Sequence, residues 1–500
     1  MMKSSIKKIF WIYTLLFVVL SCYLGKISLV DSKEYITNSY NPRLNRVSDY
    51  IKRGSITDIN GQVLAYSEKG ADGKYKRIYN DSNIFSNITG YTSKGKTGVE
   101  AKYNFMLETV SSELLQRIKD AFAGTEVSGD NVVLTIDADL QKYAASLLGD
   151  TKGAIVVMEP STGKILSMVT YPNYNANTVN EDWAVLNSPD SGSPLLNRAS
   201  QGLYPPGSIF KILTASAALK DDPEFDAFTL VCEGVKRFNS STRIRCYDSR
   251  VHGREDMKKA FAKSCNVYFS TIGTMLGTTK LNEEASAFMF NKELGFPLEY
   301  SKSSFSLPLD ASLSAVVETS IGQGKTMVSP LHMAMVASAV ANGGIMMKPY
   351  IVSHSETANG VVKNRSIPEK LTTIMSADRA ARITELMKEV VNSGTATDAA
   401  FYISPSEINT SGQAISANTS SGALESVSGI PVGHIQVAAK TGTAENGSGA
   451  DHIWFVSFAP ADNPKVVVAV IHENAGKGGK AIASARDIMK YYFTHCMNKQ

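Results

Sequence analysis

Residues 204–215 read Tyr204-Pro205-Pro206-Gly207-Ser208-Ile209-Phe210-Lys211-Ile212-Leu213-Thr214-Ala215. Two prolines and a glycine make a turn, and the apolar run behind them predicts a helix that starts at once. A serine at a helix start is held against free backbone N–H groups and the positive end of the helix dipole. Lys211 lies three residues on, one turn away on the same face, where an amine reaches the serine hydroxyl and can take its proton. The pattern S-x-x-K occurs at Ser4, Ser5, Ser93, Ser161 and Ser208. The other four copies fall in a basic N-terminal tail, a Gly-rich loop and a hairpin turn, so Ser208 with Lys211 is the pair in a chemical context.

Two more short motifs gain meaning from their surroundings. Ser264-Cys265-Asn266 follows a helical stretch, Met257 to Lys263, whereas the other S-x-N copies, at Ser39 and Ser416, sit in polar coil. Lys440-Thr441-Gly442-Thr443-Ala444 follows the extended segment Ile435 to Ala438. A strand there turns Lys440 and Gly442 to one face and Thr441 and Thr443 to the other, and Gly442 is expected to let a ligand backbone approach. The second K-T-G copy, at Lys96, closes Gly90-Tyr-Thr-Ser-Lys-Gly95-Lys96-Thr97, a full match to the phosphate-loop pattern GxxxxGK[ST]. That loop needs a buried strand before it and a helix after it. Asn83 to Thr89 is too polar for such a strand, so the match is read as a surface loop rich in glycine and lysine.

Lys3, Lys7 and Lys8 precede the charge-free stretch Ile9–Gly25, and Lys26 ends it. At 1.5 Å per residue this run spans about 25 Å, near the thickness of a hydrocarbon core once flanking lysines snorkel. The reading is a single-pass anchor with a cytoplasmic N-terminus, from the lysine bias, and the bulk of the chain outside. A cleaved signal peptide lacks a clear small-x-small site, and the Cys22 lipobox-like reading is weakened by Leu20. The expected organisation is a cytoplasmic tail at 1–8, an anchor at 9–25, a β-rich pedestal at 26–150 and a second domain at 151–500. Asp58 to Ala65 reads as strand, Asn-Gly turn, strand, and Asp139 is expected to cap a helix to Leu148. In the second domain, strands lie at both ends, Ala154–Met158 with Lys164–Met168 and Trp454–Ala459 with Val466–His472. Helices such as Pro330–Ala341 and Ala377–Asn392 lie between, which reads as an α+β domain. Residues 404–432 read as a surface loop.

The 500 residues carry 51 Lys+Arg against 47 Asp+Glu, an excess too small to call for nucleic acid. Five cysteines without a CxxC pair, and histidines without HExxH, leave no zinc site readable in the sequence. Cys232 and Cys246 enclose a 15-residue loop and stand open between a disulfide and free thiols.

The order Ser208, Ser264, Lys440 resembles the penicillin-binding protein and serine β-lactamase superfamily. The likeness extends to Arg53-Gly54-Ser55-Ile56-Thr57-Asp58, Gly98-Val99-Glu100 and Leu134-Thr135-Ile136-Asp137, which look like landmarks of the pedestal of class B penicillin-binding proteins. Asn197-Arg198-Ala199, Gly322-Gln323-Gly324, Ser329-Pro330-Leu331, Gly394-Thr395-Ala396 and Trp454-Phe455 look like that family's transpeptidase domain. Ala439 departs from the glycine many relatives carry before the lysine. The resemblance implies an antiparallel sheet flanked by helices, behind a β-rich pedestal and one transmembrane helix. It implies D,D-transpeptidation of peptidoglycan stem peptides ending in D-Ala-D-Ala, with covalent acylation by β-lactams and no cofactor or metal. Ser208 is then the nucleophile and Lys211 its base, with Ser264 a proton relay, Asn266 a substrate and lysine ligand, and Lys440 a source of positive potential. Thr441 and Thr443 bind the terminal carboxylate, with Gly442 between them. A polytopic glycosyltransferase of the shape, elongation, division and sporulation (SEDS) family is the implied partner. A D,D-carboxypeptidase, a β-lactamase and a non-catalytic β-lactam sensor or scaffold are the rivals. No E-x-x-L-N segment between Ser264 and Lys440 supports the β-lactamase.

Overall fold

The structure, a computed structural model, describes residues 2–26, 51–108, 128–220, 224–408, 426–427, 430–447, 449–476 and 480–497. Helix Met2–Lys26 covers the stretch read as an anchor and is long and apolar enough to cross a membrane. Within it, Lys7–Lys26 has a mean hydropathy of 1.7 and buries none of its length, as a span facing lipid would.

A six-stranded sheet begins at the Asp58 turn. Asp58 Oδ1 accepts from the backbone N–H of Asn60 at 2.9 Å and of Gln62 at 2.7 Å, which folds Ile56–Thr57 back onto Val63–Lys69. The strand order is Val362–Arg365, Val352–Glu356, Asn131–Leu134, Ile56–Thr57, Val63–Lys69, Tyr75–Tyr79. Behind it lies a buried ionic cluster. Arg53 pairs with Glu100 and Glu108 and donates to Asn104 Oδ1 at 2.8 Å, and Arg77 Nε reaches Glu100 Oε1 at 2.6 Å. The two arginines hold the Glu100 carboxyl below its ordinary pKa despite complete burial. Lys96, expected on a surface loop, is instead buried in this cluster, 3.1 Å from Glu108 Oε1. The element before its loop is helix Ser82–Thr89, so the phosphate-loop match lacks the strand that such a loop requires.

The second sheet is antiparallel, in the order Ala438–Ala444, His452–Ala459, Val466–His472, Gly153–Met158, Ile165–Tyr171. Val466–His472 and Gly153–Met158 are buried at every position, so both faces are covered. Helices Pro330–Ala341, Ala138–Leu148 and Lys480–Tyr491 pack on them. Ala438–Ala444, the K-T-G strand, is left at the edge, where one side of its backbone is free of sheet pairing.

Two segments cross the division placed at residue 150. The hairpin 352–365 joins the first sheet through Val352 opposite Leu134, and Ala138–Leu148 packs on the second. The cap of that helix is Asp137, not Asp139: its side chain accepts from the N–H groups of Asp139 and Leu140. Most of the loop expected at 404–432 lies outside the described residues.

Candidate active site

The turn before Ser208 is clamped from three sides. Trp454 Nε1 donates to Pro205 O at 3.0 Å, and Gly207 N–H donates to Gly322 O at 2.8 Å. Tyr204 donates to Glu473, which also takes Arg198 Nε at 2.8 Å. Gly322 has φ 78°, and a Cβ there would lie 2.1 Å from Gly207 O, so no larger residue permits this approach. A 3₁₀ turn, Gly207–Phe210, then carries Ser208 into helix Lys211–Ala218.

Ser264 arrives from the junction between helices Met257–Ala262 and Asn266–Ala287. Its φ is +56°, a left-handed conformation unusual for serine. Such local strain persists only where its surroundings hold it in place. The turn aims both the carbonyl and the hydroxyl of Ser264 at one amine. Lys211 Nζ lies 2.8 Å from Ser264 O, 3.2 Å from Ser264 Oγ, 2.9 Å from Ser208 Oγ and 2.7 Å from Asn266 Oδ1. Asn266 is oriented by its own donation, Nδ2 to Arg245 O at 2.9 Å. Lys440 Nζ closes the set, 3.1 Å from Ser264 Oγ. An unbroken path therefore runs Ser208, Lys211, Ser264, Lys440, although the chain separates its ends by more than 200 residues.

Both amines are fully buried. Burial lowers Lys211 to about 8, and it lowers Lys440 well below the usual value, with the Lys211 charge as the second cause. Phe269 and Phe261 wall the two amines, with ring centres at 5.8 and 5.4 Å. Two ammonium groups bridged by one hydroxyl in such a place do not both keep a proton near neutrality. Of the four neighbours of Lys211, Ser264 O and Asn266 Oδ1 can only accept, so they take two of its N–H groups and leave the remaining position of the nitrogen to the two hydroxyls.

The K-T-G strand alternates as expected: Lys440 and Gly442 are buried, Thr441 and Thr443 half-buried. Thr441 Oγ1 lies 2.6 Å from Thr395 Oγ1, a residue quoted in the sequence only as a family landmark. Gly442 is closely packed. A Cβ there would meet Ile209 Cγ2 and Trp454 Cβ at 3.0 Å and Pro206 O at 3.2 Å. Its bareness lets the strand close on the turn that carries Ser208. The cleft beside these groups, about 890 Å³, is lined among others by Pro205, Arg245, Asn266, Glu318, Glu445 and His452.

Directly behind Ser264 the fold gathers Cys232, Cys246, His252 and Cys265, whose ligand atoms all lie within 4.8 Å of one another. Cys232 and Cys246 are unbonded, with sulfurs 3.6 Å apart, and Cys246 and Cys265 stand at 3.7 Å. A tetrahedral zinc ion with Zn–S near 2.3 Å sets sulfurs about 3.8 Å apart, whereas a disulfide needs about 2.05 Å. The Cys265 thiol, donating to Cys246, lowers the pKa of the Cys246 thiol, which favours the thiolate a metal needs. Among the described residues, these four form the group placed to hold a metal. Purified full-length protein is expected to retain about one zinc ion per chain by elemental analysis, and Cys232→Ser with Cys246→Ser to lose it and melt several degrees lower. A metal-free wild type of unchanged melting temperature would refute this.

Residues 153–490 match the family model described as penicillin binding protein transpeptidase domain, and residues 53–132 match penicillin binding protein A dimerisation domain. The chain is 32% identical to the peptidoglycan D,D-transpeptidase PbpA of Mycolicibacterium smegmatis over 87% of each chain. It is 28% identical to the peptidoglycan D,D-transpeptidase MrdA of Haemophilus influenzae, over 92% of this chain and 72% of that one. Among solved structures it resembles penicillin-binding protein A from M. tuberculosis in its imipenem acyl-enzyme complex. The TM-score is 0.75 at 29% identity, covering 89% of this chain and 98% of the other. A transpeptidase-domain match over most of the chain, with a relative at this identity across both modules, places the chain in the class B penicillin-binding proteins.

Proposed function

We infer that this chain cross-links peptidoglycan as a serine D,D-transpeptidase, and that β-lactams acylate it at the same serine. The observation that carries the reading is Lys211 Nζ, fully buried with its pKa lowered to about 8, 2.9 Å from Ser208 Oγ. The stem's terminal carboxylate binds at the Thr441 and Thr443 hydroxyls. A carboxylate there favours a proton on Lys440, so the one proton that the two lysines share moves away from Lys211 through Ser264. Neutral Lys211 then takes the Ser208 proton as Oγ attacks the penultimate D-Ala carbonyl. The N–H groups of Ser208 and Thr443 hold the oxyanion, each donor worth about 3 kcal/mol. Collapse breaks the amide. D-alanine leaves with a proton returned through Ser264, and the peptide stays esterified to Ser208. The amine of a second stem attacks the ester and gives a proton to Lys211, which passes it to Ser208 Oγ as the ester bond breaks and the serine is restored.

The test uses full-length protein with un-cross-linked peptidoglycan strands. Dimeric stems with release of one D-alanine per link are expected, and a long-lived adduct with fluorescent penicillin. D-alanine release without dimers would mean a carboxypeptidase, and rapid penicillin turnover a β-lactamase.

The membrane-length helix at the N-terminus supports placing 1–8 in the cytoplasm, 9–25 in the bilayer, and the pedestal at 26–150 and transpeptidase domain at 151–500 outside. A polytopic SEDS-family glycosyltransferase would supply the glycan strands, met through anchor and pedestal. Deleting residues 1–50 is expected to end co-purification of such a partner from membranes.

A further inference from the structure

A small hairpin, Val235–Arg237 paired with Arg243–Arg245, stands beside the cleft. Its register sets Arg237 directly opposite Arg243, and Val235 opposite Arg245. Alternation therefore sends all three arginines to one face, and all three are exposed. The other face is half-buried: Lys236 Nζ reaches Thr271 Oγ1 at 2.9 Å and covers the Phe238 ring. Like charges directly opposite one another destabilise a strand pair, and an ordinary solvated face would interleave acids. None of the three guanidinium groups makes an ion pair with a described residue, and Arg237 donates only to Ser240 O, at 3.2 Å. The face is continuous with the reaction site. Arg245 lines the cleft, and its carbonyl holds Asn266. The cleft itself also carries Glu318 and Glu445, so the unbalanced positive charge belongs to the hairpin.

We propose that this three-arginine face docks the free carboxylates of neighbouring stem peptides on an un-cross-linked peptidoglycan strand. The proposal rests on the transpeptidase reading. Every un-cross-linked stem ends in a carboxylate, and stems repeat along the strand, so the strand is a multivalent anion. A guanidinium fork matches a carboxylate in two parallel hydrogen bonds. Each exposed pair is weak alone, so the face needs several partners at once, which a strand supplies and a lone stem does not.

The experiment blocks the reaction site first. Full-length protein acylated with penicillin is tested for binding to immobilised un-cross-linked strands, to the same strands with their carboxylates amidated, and to a phosphate-bearing wall polymer. Acylated wild type is expected to bind the free-carboxylate strands, and Arg237→Gln with Arg243→Gln to weaken that binding about fivefold. On amidated strands the two proteins should bind equally weakly, and added salt should erase the difference. Both proteins should react with penicillin at the same rate, which shows the variant folded. Variant binding equal to wild type, a loss that persists on amidated strands, or binding to the phosphate polymer alone overturns the proposal. Loss of penicillin acylation in the wild type would instead strike the transpeptidase reading.

Discussion

Ser208→Ala is expected to abolish covalent labelling by fluorescent penicillin and to lower cross-linking by about 10⁴-fold or more. The size follows from the geometry. Lys211 Nζ lies within hydrogen-bond reach of two hydroxyls, those of Ser208 and Ser264. Ser208 stands in the turn that opens a helix, where backbone N–H groups lack intrahelical partners, whereas the Ser264 N–H is spent on Phe261 O at 3.2 Å. Ser264 is walled between two lysines. It cannot replace the nucleophile, because its oxygen is already spent on the path between Lys211 and Lys440. Without the Ser208 oxygen no ester forms, and what remains is binding and the oxyanion donors. Ser264→Ala, by contrast, leaves the nucleophile and its base in contact. It is expected to slow acylation by about 10²-fold while an adduct still accumulates on long incubation. Gel fluorescence against time measures both. An adduct of wild-type yield on Ser208→Ala would move the nucleophile elsewhere. Equal, complete loss in both variants would mean that Ser264 does more than relay a proton.

The parts of this site that were legible in the sequence are the local ones. Ser208 and Lys211 are one turn apart, and helical periodicity alone puts them together. The alternation of Lys440 and Thr441 follows from any extended segment. What lies on each face does not. Gly442 packs against Ile209, a contact that the pattern does not announce, because periodicity names the side of a strand and not its neighbour. Ser264 needed a left-handed turn that no residue propensity announces. The cysteine and histidine cluster was invisible for a related reason. Its members come 14, 6 and 13 residues apart, with no close pair to mark a metal loop, and they meet only when the strand pair Leu230–Cys232 with Gly253–Glu255, and the hairpin it encloses, fold over the start of a helix. Lys96 shows the converse, a motif complete in letters whose lysine is committed to a buried glutamate. The sheet order escaped as well, since Val352 pairs with Leu134 across more than 200 residues of sequence.

Lys211→Gln is expected to cost about 10³-fold or more in the acylation rate, and the pH dependence of the wild type should name the same group. In the folded chain burial brings Lys211 to about 8 from an ordinary 10.5. The base works only when neutral. The acylation rate therefore rises with pH up to about 8 and levels above it, and Lys211→Gln flattens that limb. Stability carries the same signature with a definite sign. Between pH 8 and 10.5 the unfolded chain holds the lysine proton more tightly than the folded one, so stability rises with pH across this window and is insensitive to this group below it. The full effect is about 3 kcal/mol for a side chain buried this completely. Lys440, also lowered by burial, adds a contribution of the same sign. Denaturant melts of wild type and Lys211→Gln at pH 7 and pH 10 measure the Lys211 share together with the part of the Lys440 shift that the Lys211 charge causes, and the burial part of the Lys440 shift remains in the variant. The glutamine keeps a donor for Ser264 O or Asn266 Oδ1 but brings no basic lone pair. If Lys211→Gln kept both a wild-type rate and a rate that climbs through pH 8, the proton from Ser208 would have to leave by another route, with Lys440 through Ser264 the one remaining buried amine on the path.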